Sequence, residues 1–494
     1  MIDSLLTLLQ PMTLLIILLA TTLGIILGAI PGLSGGLGVA LMLPITFGME
    51  PEVGLAMLMS IWIGGVSGGM IGSILLGIPG SPSSIATCFD GYPMTRNGEA
   101  VRALGAAIIA SFLGTLVSIL IAMFLSPVMA RLALRLGPWE YFSLGFCAIA
   151  LVAALARGSV FLGMASAALG LLLSTVGFAP IDGHARFTFG SIYLSSGIDL
   201  IALMLGLFAL KQIIGDHARG EQQVPEVDVS DIKGFGVSAR DLIDNTWNMI
   251  RSFLIGLWIG FLPGMGSALS NMIAYAQAKS SSKHPEKFGK GCVDGVFASE
   301  TSNNASVGGS LIPMVALGIP GDGTTAILLG GLMIHGIQAG PLLFTNNPEI
   351  VYALFLTALI SAVMVLVLQY FGMRLFPAIL KIPYHYLYPA IVVLGFIGVF
   401  VGSSTGFNYF LLLGFAAFGL LMDKVKLPVG PFILAFILGP MLELNLRRGI
   451  TYTDDGVLPF FTRPISAALL LVAAFSIIWP YLGPWLKARR ARSL

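Results

Sequence analysis

Apolar residues fill this chain in long runs, broken by short polar stretches and by Pro-Gly pairs. A spanning helix needs about 20 mostly apolar residues. Runs of that kind cover 12–30, 53–78, 103–125, 139–156, 158–178, 198–215, 350–372, 386–401, 408–422 and 465–486. Shorter or interrupted runs cover 33–47, 247–262, 265–278, 305–319, 324–340 and 427–442. The pattern predicts an all-α polytopic membrane protein, with about 10–12 transmembrane helices plus broken or re-entrant half-helices. Pro and Gly survive at membrane depth only where protein or water satisfies the freed backbone groups. The short pieces are therefore expected inside the protein, away from lipid.

One phrase organises the rest. LGIPG occurs at Leu76–Gly80 and again at Leu317–Gly321, each copy after a Gly pair (Gly68-Gly69, Gly308-Gly309). A related Pro-Gly lies upstream of each, in GAIPG (Gly28–Gly32) and GFLPG (Gly260–Gly264). Two halves with the same punctuation in the same order suggest a duplicated chain, with the repeats expected in inverted orientation. Residues 1–215 form the first repeat and 246–445 the second, with a polar extramembrane linker over 216–245 and a last span with a basic tail over 446–494. Secondary transporters are often built this way, with the site at the repeat interface on interrupted helices.

The breaks carry the candidate chemistry. Pro ends a helix, and Gly lets the backbone turn and a ligand approach. The helix that restarts presents unpaired N–H groups and the positive end of its dipole, where an anion binds without a buried cation. Candidate substrate residues are therefore Pro31, Gly32, Ser34, Gly35, Pro79, Gly80, Ser81, Ser83, Ser84, Pro263, Gly264, Ser267, Pro320, Gly321, Thr324 and Thr325, joined by Asn303 and Asn304. The carbonyls that end the preceding helices, at Gly77 and Gly318, suit a coupling cation, as does Asp322. Ordinary kinks are the competing reading, which four paired breaks followed by hydroxyl residues argue against.

Composition sharpens this. Of 494 residues, 56% are hydrophobic and 10% charged, with mean hydropathy +0.92. A soluble domain carries about 25% charged residues, so lipid must solvate most of the chain. Net charge +2, with no basic cluster among aromatics, gives no sign of a nucleic-acid partner. Cys88, Cys147 and Cys292 are far apart and lack metal spacing, so they read as packing residues without a disulfide framework. The start of the chain lacks a basic n-region and reads as a first membrane element. The basic tail Lys487–Arg492 predicts a cytoplasmic C-terminus, in the inner membrane.

The remaining polar residues each admit a functional and a structural role. SETSNNASVGG (Ser299–Gly309) cannot face lipid cheaply, and is either a solvated loop or a functional segment. Asp322 is either an intramembrane functional acid or a helix cap. Asp90-Gly91-Tyr92-Pro93 reads as a turn, with Arg96 and Arg102 on its aqueous side. The five histidines form no cluster.

Four stretches together resemble the large membrane subunit of the tripartite tricarboxylate transporters, the TctA type: GAIPGLSGGLGVALMLPITF (Gly28–Phe47), GGMIGSILLGIPGSPSSIATCFDGYPMTRNGEAVRAL (Gly68–Leu104), GFLPGMGSALSN (Gly260–Asn271) and SETSNNASVGGSLIPMVALGIPGDGTTAILLGGLMIHGIQAGPLLF (Ser299–Phe344). The likeness runs from about residue 20 to about 440. It implies a three-part system: a periplasmic substrate-binding protein (TctC type), a small membrane subunit (TctB type), and this large subunit carrying a carboxylate along the translocation path. An ion gradient drives it, with Na⁺ the resemblance's expectation for the tricarboxylate members and H⁺ the competitor, which fits the lack of a phosphate-binding GxxxxGK[ST] loop. No organic cofactor is implied. Gly321-Asp322-Gly323 puts an acid where relatives are expected to carry a small uncharged residue, so Asp322 would hold the cation and not the carboxylate. An elevator-like cycle is the expected mechanism.

Other functions fit less well. A stand-alone carrier or a TRAP-type large subunit shares the transport reading, and neighbouring genes would separate them. An intramembrane protease needs two acids at depth in a different local pattern, and no G-x-S-x-G nucleophile lies beside a plausible His. A purely structural protein has no use for duplicated broken helices.

Overall fold

A computed structural model describes residues 2–155, 159–219, 236–380, 384–403 and 405–492. Most of the polar linker, residues 220–235, lies outside the described residues, and so do the side chains of the basic tail. The fold is almost entirely helical, with one antiparallel pair of two-residue strands, Gly177–Phe178 and Ala185–Arg186, in an exposed loop.

The first stretch runs α1 (Pro11–Ala29), α2 (Gly35–Met42), α3 (Pro51–Leu76), α4 (Ile85–Arg96) and α5 (Ala100–Ala133). Next come α6 (Pro138–Leu155), α7 (Val160–Ser174) and α8 (Leu200–Gly215), whose middle, Leu205–Leu210, is π-helical. The second stretch runs α9 (Ala239–Phe261), α10 (Gly266–Ser281), α11 (Val293–Leu317), α12 (Gly323–Ile334) and α13 (Pro348–Gly372). Last are α14 (Tyr384–Ser403), α15 (Phe407–Lys424), α16 (Val429–Thr451) and α17 (Pro464–Arg492). Six helices of the described chain are long and apolar enough to cross a membrane by length and composition. Other apolar helices are shorter, including Val160–Ser174 and Gly323–Ile334, because Gly and Pro interrupt the runs.

The element order of the two stretches matches: a helix, a Pro-Gly break, a short helix, a long helix, a second Pro-Gly break and another short helix. The local geometry matches too. α3 ends on Gly77 at φ 69°, ψ 14°, and α11 ends on Gly318 at φ 71°, ψ 21°. This left-handed cap is disfavoured for any residue with a Cβ. Gly318→Ala is expected to cost about 1–2 kcal/mol for the backbone alone. A lowered unfolding temperature of the purified protein would show it.

Glycines let the helices approach closely. Gly24 and Gly28 of α1 lie against Ile61 and Gly65 of α3, so that a Cβ on Gly28 would stand 2.2 Å from the Gly65 carbonyl oxygen. Gly256 and Gly260 of α9 lie against Ser302 and Ser306 of α11 in the same way, each Cβ 2.3 Å from a carbonyl oxygen. In lipid, where apolar surface alone gives helices little reason to associate, such small-residue seams supply the packing.

One sequence expectation changes here, and one open alternative closes. Asp90-Gly91-Tyr92-Pro93 is helical, not a turn. Asp90 is buried, and its carboxylate accepts backbone N–H bonds from Gly289, Gly291 and Cys292 and a hydroxyl bond from Tyr275 at 2.9 Å. Those donors satisfy the acid within the fold, so the helix need not end there. Ser299–Gly309 is a fully buried part of α11, not a solvated loop. Asn304 and Ser299 find partners on α3, α4 and α5, while the Thr301 and Ser302 hydroxyls and Asn303 Oδ1 are buried without one among the described residues. The three cysteines are free.

Candidate functional site

All four Pro-Gly breaks lead to one cavity of about 270 Å³. Each contributes the start of the helix that follows it: Ser34 and Gly35 for α2, Ser81 and Ser83 ahead of α4, Gly264 and Ser267 for α10, and Asp322 and Thr324 for α12.

The turns are held by contacts between paired breaks. The Gly264 N–H donates to the Gly321 carbonyl at 2.7 Å. A Cβ on Gly321 would lie 2.6 Å from the Gly260 carbonyl oxygen, and one on Gly80 would lie 2.1 Å from that of Gly28. In each stretch, therefore, the second break sits directly on the helix end before the first. Thr324 also reaches across to α2, where its hydroxyl would be 2.8 Å from a Cβ on Gly36.

The restarting helices are capped by their own sequence. Ser34 Oγ accepts from the Leu37 N–H at 3.2 Å. Ser84 Oγ donates to the Ser81 carbonyl at 3.0 Å and accepts from the Ser81 N–H. Asp322 Oδ1 accepts from the Thr325 N–H and hydroxyl, both at 2.8 Å, while Thr325 Oγ1 accepts from the Asp322 N–H. Ser84 and Thr325 are thus engaged in caps and are absent from the cavity lining, whereas Ser81 and Ser83, bonded Oγ to Oγ at 2.7 Å, line it.

The electrostatics follow from the caps. Among the described residues that line the cavity, Asp322 is the only formally charged one. Each helix N-terminus carries about half a positive charge, so four together offset the one carboxylate roughly twofold. Asp322 also spends Oδ1 on its own helix. The space suits an anion held by N–H and hydroxyl donors without an Arg or Lys.

Of the sequence candidates, the cavity lining includes Ser34, Gly35, Ser81, Ser83, Gly264, Ser267, Asp322 and Thr324. Pro31, Gly32, Pro79, Gly80, Pro263, Pro320 and Gly321 shape the turns behind it, and Gly77 and Gly318 terminate α3 and α11. Asn303 and Asn304 are buried in α11, with their amides toward Glu300. Sequence reasoning missed the apolar walls, Trp62 of α3 and Phe208 of the π-helical segment. Nothing distinguishes either from its apolar run.

Residues 14–434 match the family described as the tripartite tricarboxylate transporter TctA family. The chain belongs to the TctA family. A protein of Agrobacterium vitis, described as an uncharacterized 52.8 kDa protein in the TAR-I ttuC' 3' region, is 34% identical over 484 residues, covering 98% of this chain and 96% of the relative. A second A. vitis protein, from the TAR-II ttuC' 3' region, is 32% identical over 235 residues, 48% of this chain and 97% of the relative. No solved structure matches the chain. The TctA match covers every break that lines the cavity, so the cavity lies wholly within the family's own sequence. The chain is accordingly a multi-pass membrane subunit of a tripartite tricarboxylate transporter.

Proposed function

We propose that this subunit is the translocation path of a binding-protein-dependent, ion-gradient-driven secondary transporter for small di- and tricarboxylates, held in the cavity between the four breaks. The observation that carries this is the convergence of four helix N-termini, each with a free or capping hydroxyl, on a space without a cationic side chain. A TctC-type protein in the periplasm delivers the carboxylate, and a TctB-type subunit accompanies this chain in the inner membrane. The two stretches act as repeats around the site, and the packed unit that bears the breaks carries it in an elevator-like cycle. The matched conformations at Gly77 and Gly318 and the matched seams at Gly28 and Gly260 support that reading.

The test is uptake of labelled citrate and a panel of dicarboxylates by the chain reconstituted with its two partners, under imposed Na⁺ or H⁺ gradients. Accumulation that requires the binding protein is expected. Accumulation without it would indicate a stand-alone carrier. No transport of any carboxylate under either gradient would refute the substrate class.

A further inference from the structure

Beside the cavity lies a second polar centre, which holds two of the sequence candidates for substrate contact, Asn303 and Asn304, but does not line the cavity. Glu300, on α11, is 0% exposed, and so are its neighbours Asn303, Asn304, Thr87 and Ser111. Its Oε1 accepts from the Thr87 hydroxyl. Its Oε2 accepts from Ser111 Oγ at 3.2 Å, Asn304 Nδ2 at 3.3 Å and Asn303 Nδ2 at 3.4 Å. Among the described residues no Lys, Arg or His pairs with it.

Charged groups on the packed elements are engaged elsewhere or lie apart. On α4, Asp90 is taken by three backbone N–H groups and Tyr275 of α10, and Cys88 points its thiol at the Ser84 carbonyl, 3.8 Å away. At the start of α11, Asp294 accepts from Asn245, and Cys292 donates its N–H to Asp90. On α9, Asp241 pairs with Arg102 of α5, and Arg251 makes no ion pair with Glu300. To Glu300 itself, α4 and α5 present only Thr87 and Ser111.

We propose that Glu300 binds and releases the coupling proton, an inference that rests on the transport reading above. A lone carboxylate without a cation is costly to keep ionised in a lipid-embedded interior. The network serves both states. When Glu300 is protonated, its O–H donates to Thr87 Oγ1. Thr87 then donates to Ser299 Oγ at 3.1 Å, and Ser299 to the Val296 carbonyl at 3.1 Å. When the proton leaves to water, the Thr87 hydroxyl turns and donates to the carboxylate. The same geometry disfavours Na⁺. Asn304 Oδ1 is fixed by the Ser67 hydroxyl at 3.0 Å and the Thr115 hydroxyl at 3.1 Å, which turns the amide N–H groups toward Glu300. A cation at Oε2 would meet the Asn304 hydrogens, and only a turn of the Asn303 amide, whose Oδ1 has no partner among the described residues, would offer it an oxygen. The link to substrate is short, because Ser67 follows Val66, which lines the cavity.

The experiment uses the reconstituted three-part system and Glu300→Gln. In the wild-type complex a pH gradient without Na⁺ should accumulate carboxylate. E300Q should retain substrate exchange but accumulate nothing above equilibrium. In parallel, infrared difference spectra of the purified complex between acid and neutral pH should show a protonated-carboxyl C=O band that E300Q lacks and Thr87→Val shifts. Wild-type accumulation by E300Q, a strict Na⁺ requirement, or a spectrum unchanged by both variants would overturn the assignment. If the wild-type complex moves no carboxylate, the transport reading fails, and the infrared band alone decides whether Glu300 takes up the proton.

Discussion

Ser81→Ala, Ser83→Ala and Thr324→Ala are each expected to raise the half-saturating carboxylate concentration tenfold or more, with membrane abundance unchanged. A hydrogen bond to a charged group contributes about 1.5–3 kcal/mol, and 1.4 kcal/mol is about tenfold in affinity. All three hydroxyls line the cavity; Ser83 and Thr324 take no part in a cap, and Ser81 also belongs to the capping box with Ser84. Ser81 and Ser83 share one bond Oγ to Oγ, so either loss leaves the other free to turn. Each single change at this pair therefore leaves one hydroxyl in place, and the double variant should exceed either single one. Thr325→Ala is a useful contrast. It removes the reciprocal cap with Asp322 and should cost about 1 kcal/mol of stability, with a smaller effect on affinity. Concentration-dependent uptake, normalised to protein in the membrane, separates the two.

Gly80→Ala and Gly321→Ala should have the largest structural effects. A methyl on Gly80 would stand 2.1 Å from the Gly28 carbonyl oxygen. One on Gly321 would meet Ser310 Cβ at 2.4 Å and the Gly260 carbonyl oxygen at 2.6 Å. In both cases backbone must move, since neither contact is to the end of a flexible side chain. Overpacking of this kind costs about 1–3 kcal/mol, and here it also separates the paired breaks that shape the cavity. Loss of uptake together with a lowered unfolding temperature is expected for both, while Gly414→Ala, where a Cβ would meet open space, should change neither. Full activity in Gly321→Ala would show that the close approach of the breaks is dispensable.

Much of this site is legible in the sequence because its chemistry is local. A Pro-Gly followed by Ser or Thr states a helix end, a turn and a restarting N-terminus within a few residues. Those signals locate Ser34, Ser81, Ser267 and Thr324. What they cannot show is which hydroxyl faces the cavity. Ser83 and Ser84 are adjacent, and only the turn of the backbone sends one to the lining and the other into the cap. The helical state of Ser299–Gly309 is hidden for a related reason: a polar string reads as solvated until partners from α3, α4 and α5 are in place. Asp90 reads as part of a turn because its partners lie about 200 residues further along the chain. Trp62 and Phe208 reach the cavity through helix packing, which periodicity within uniformly apolar runs does not reveal.

Substrate protection at the cavity tests most directly whether the carboxylate sits between the four breaks. In a background with Cys88, Cys147 and Cys292 replaced by Ser, a single Ser267→Cys is labelled by a small maleimide in the uptake-competent complex. Ser267 lines the cavity and only its carbonyl accepts a bond, from Ser270 Oγ, so its side chain is free to change. Saturating carboxylate is expected to slow labelling of the Ser267→Cys thiol about tenfold or more, as a shift of about 1.4 kcal/mol in site occupancy requires. Labelling of an exposed control away from the cavity and outside the candidate spans, Lys283→Cys, should be unaffected. An unchanged labelling rate at saturating substrate, in protein that still transports it, would place the carboxylate somewhere other than the meeting point of the four breaks.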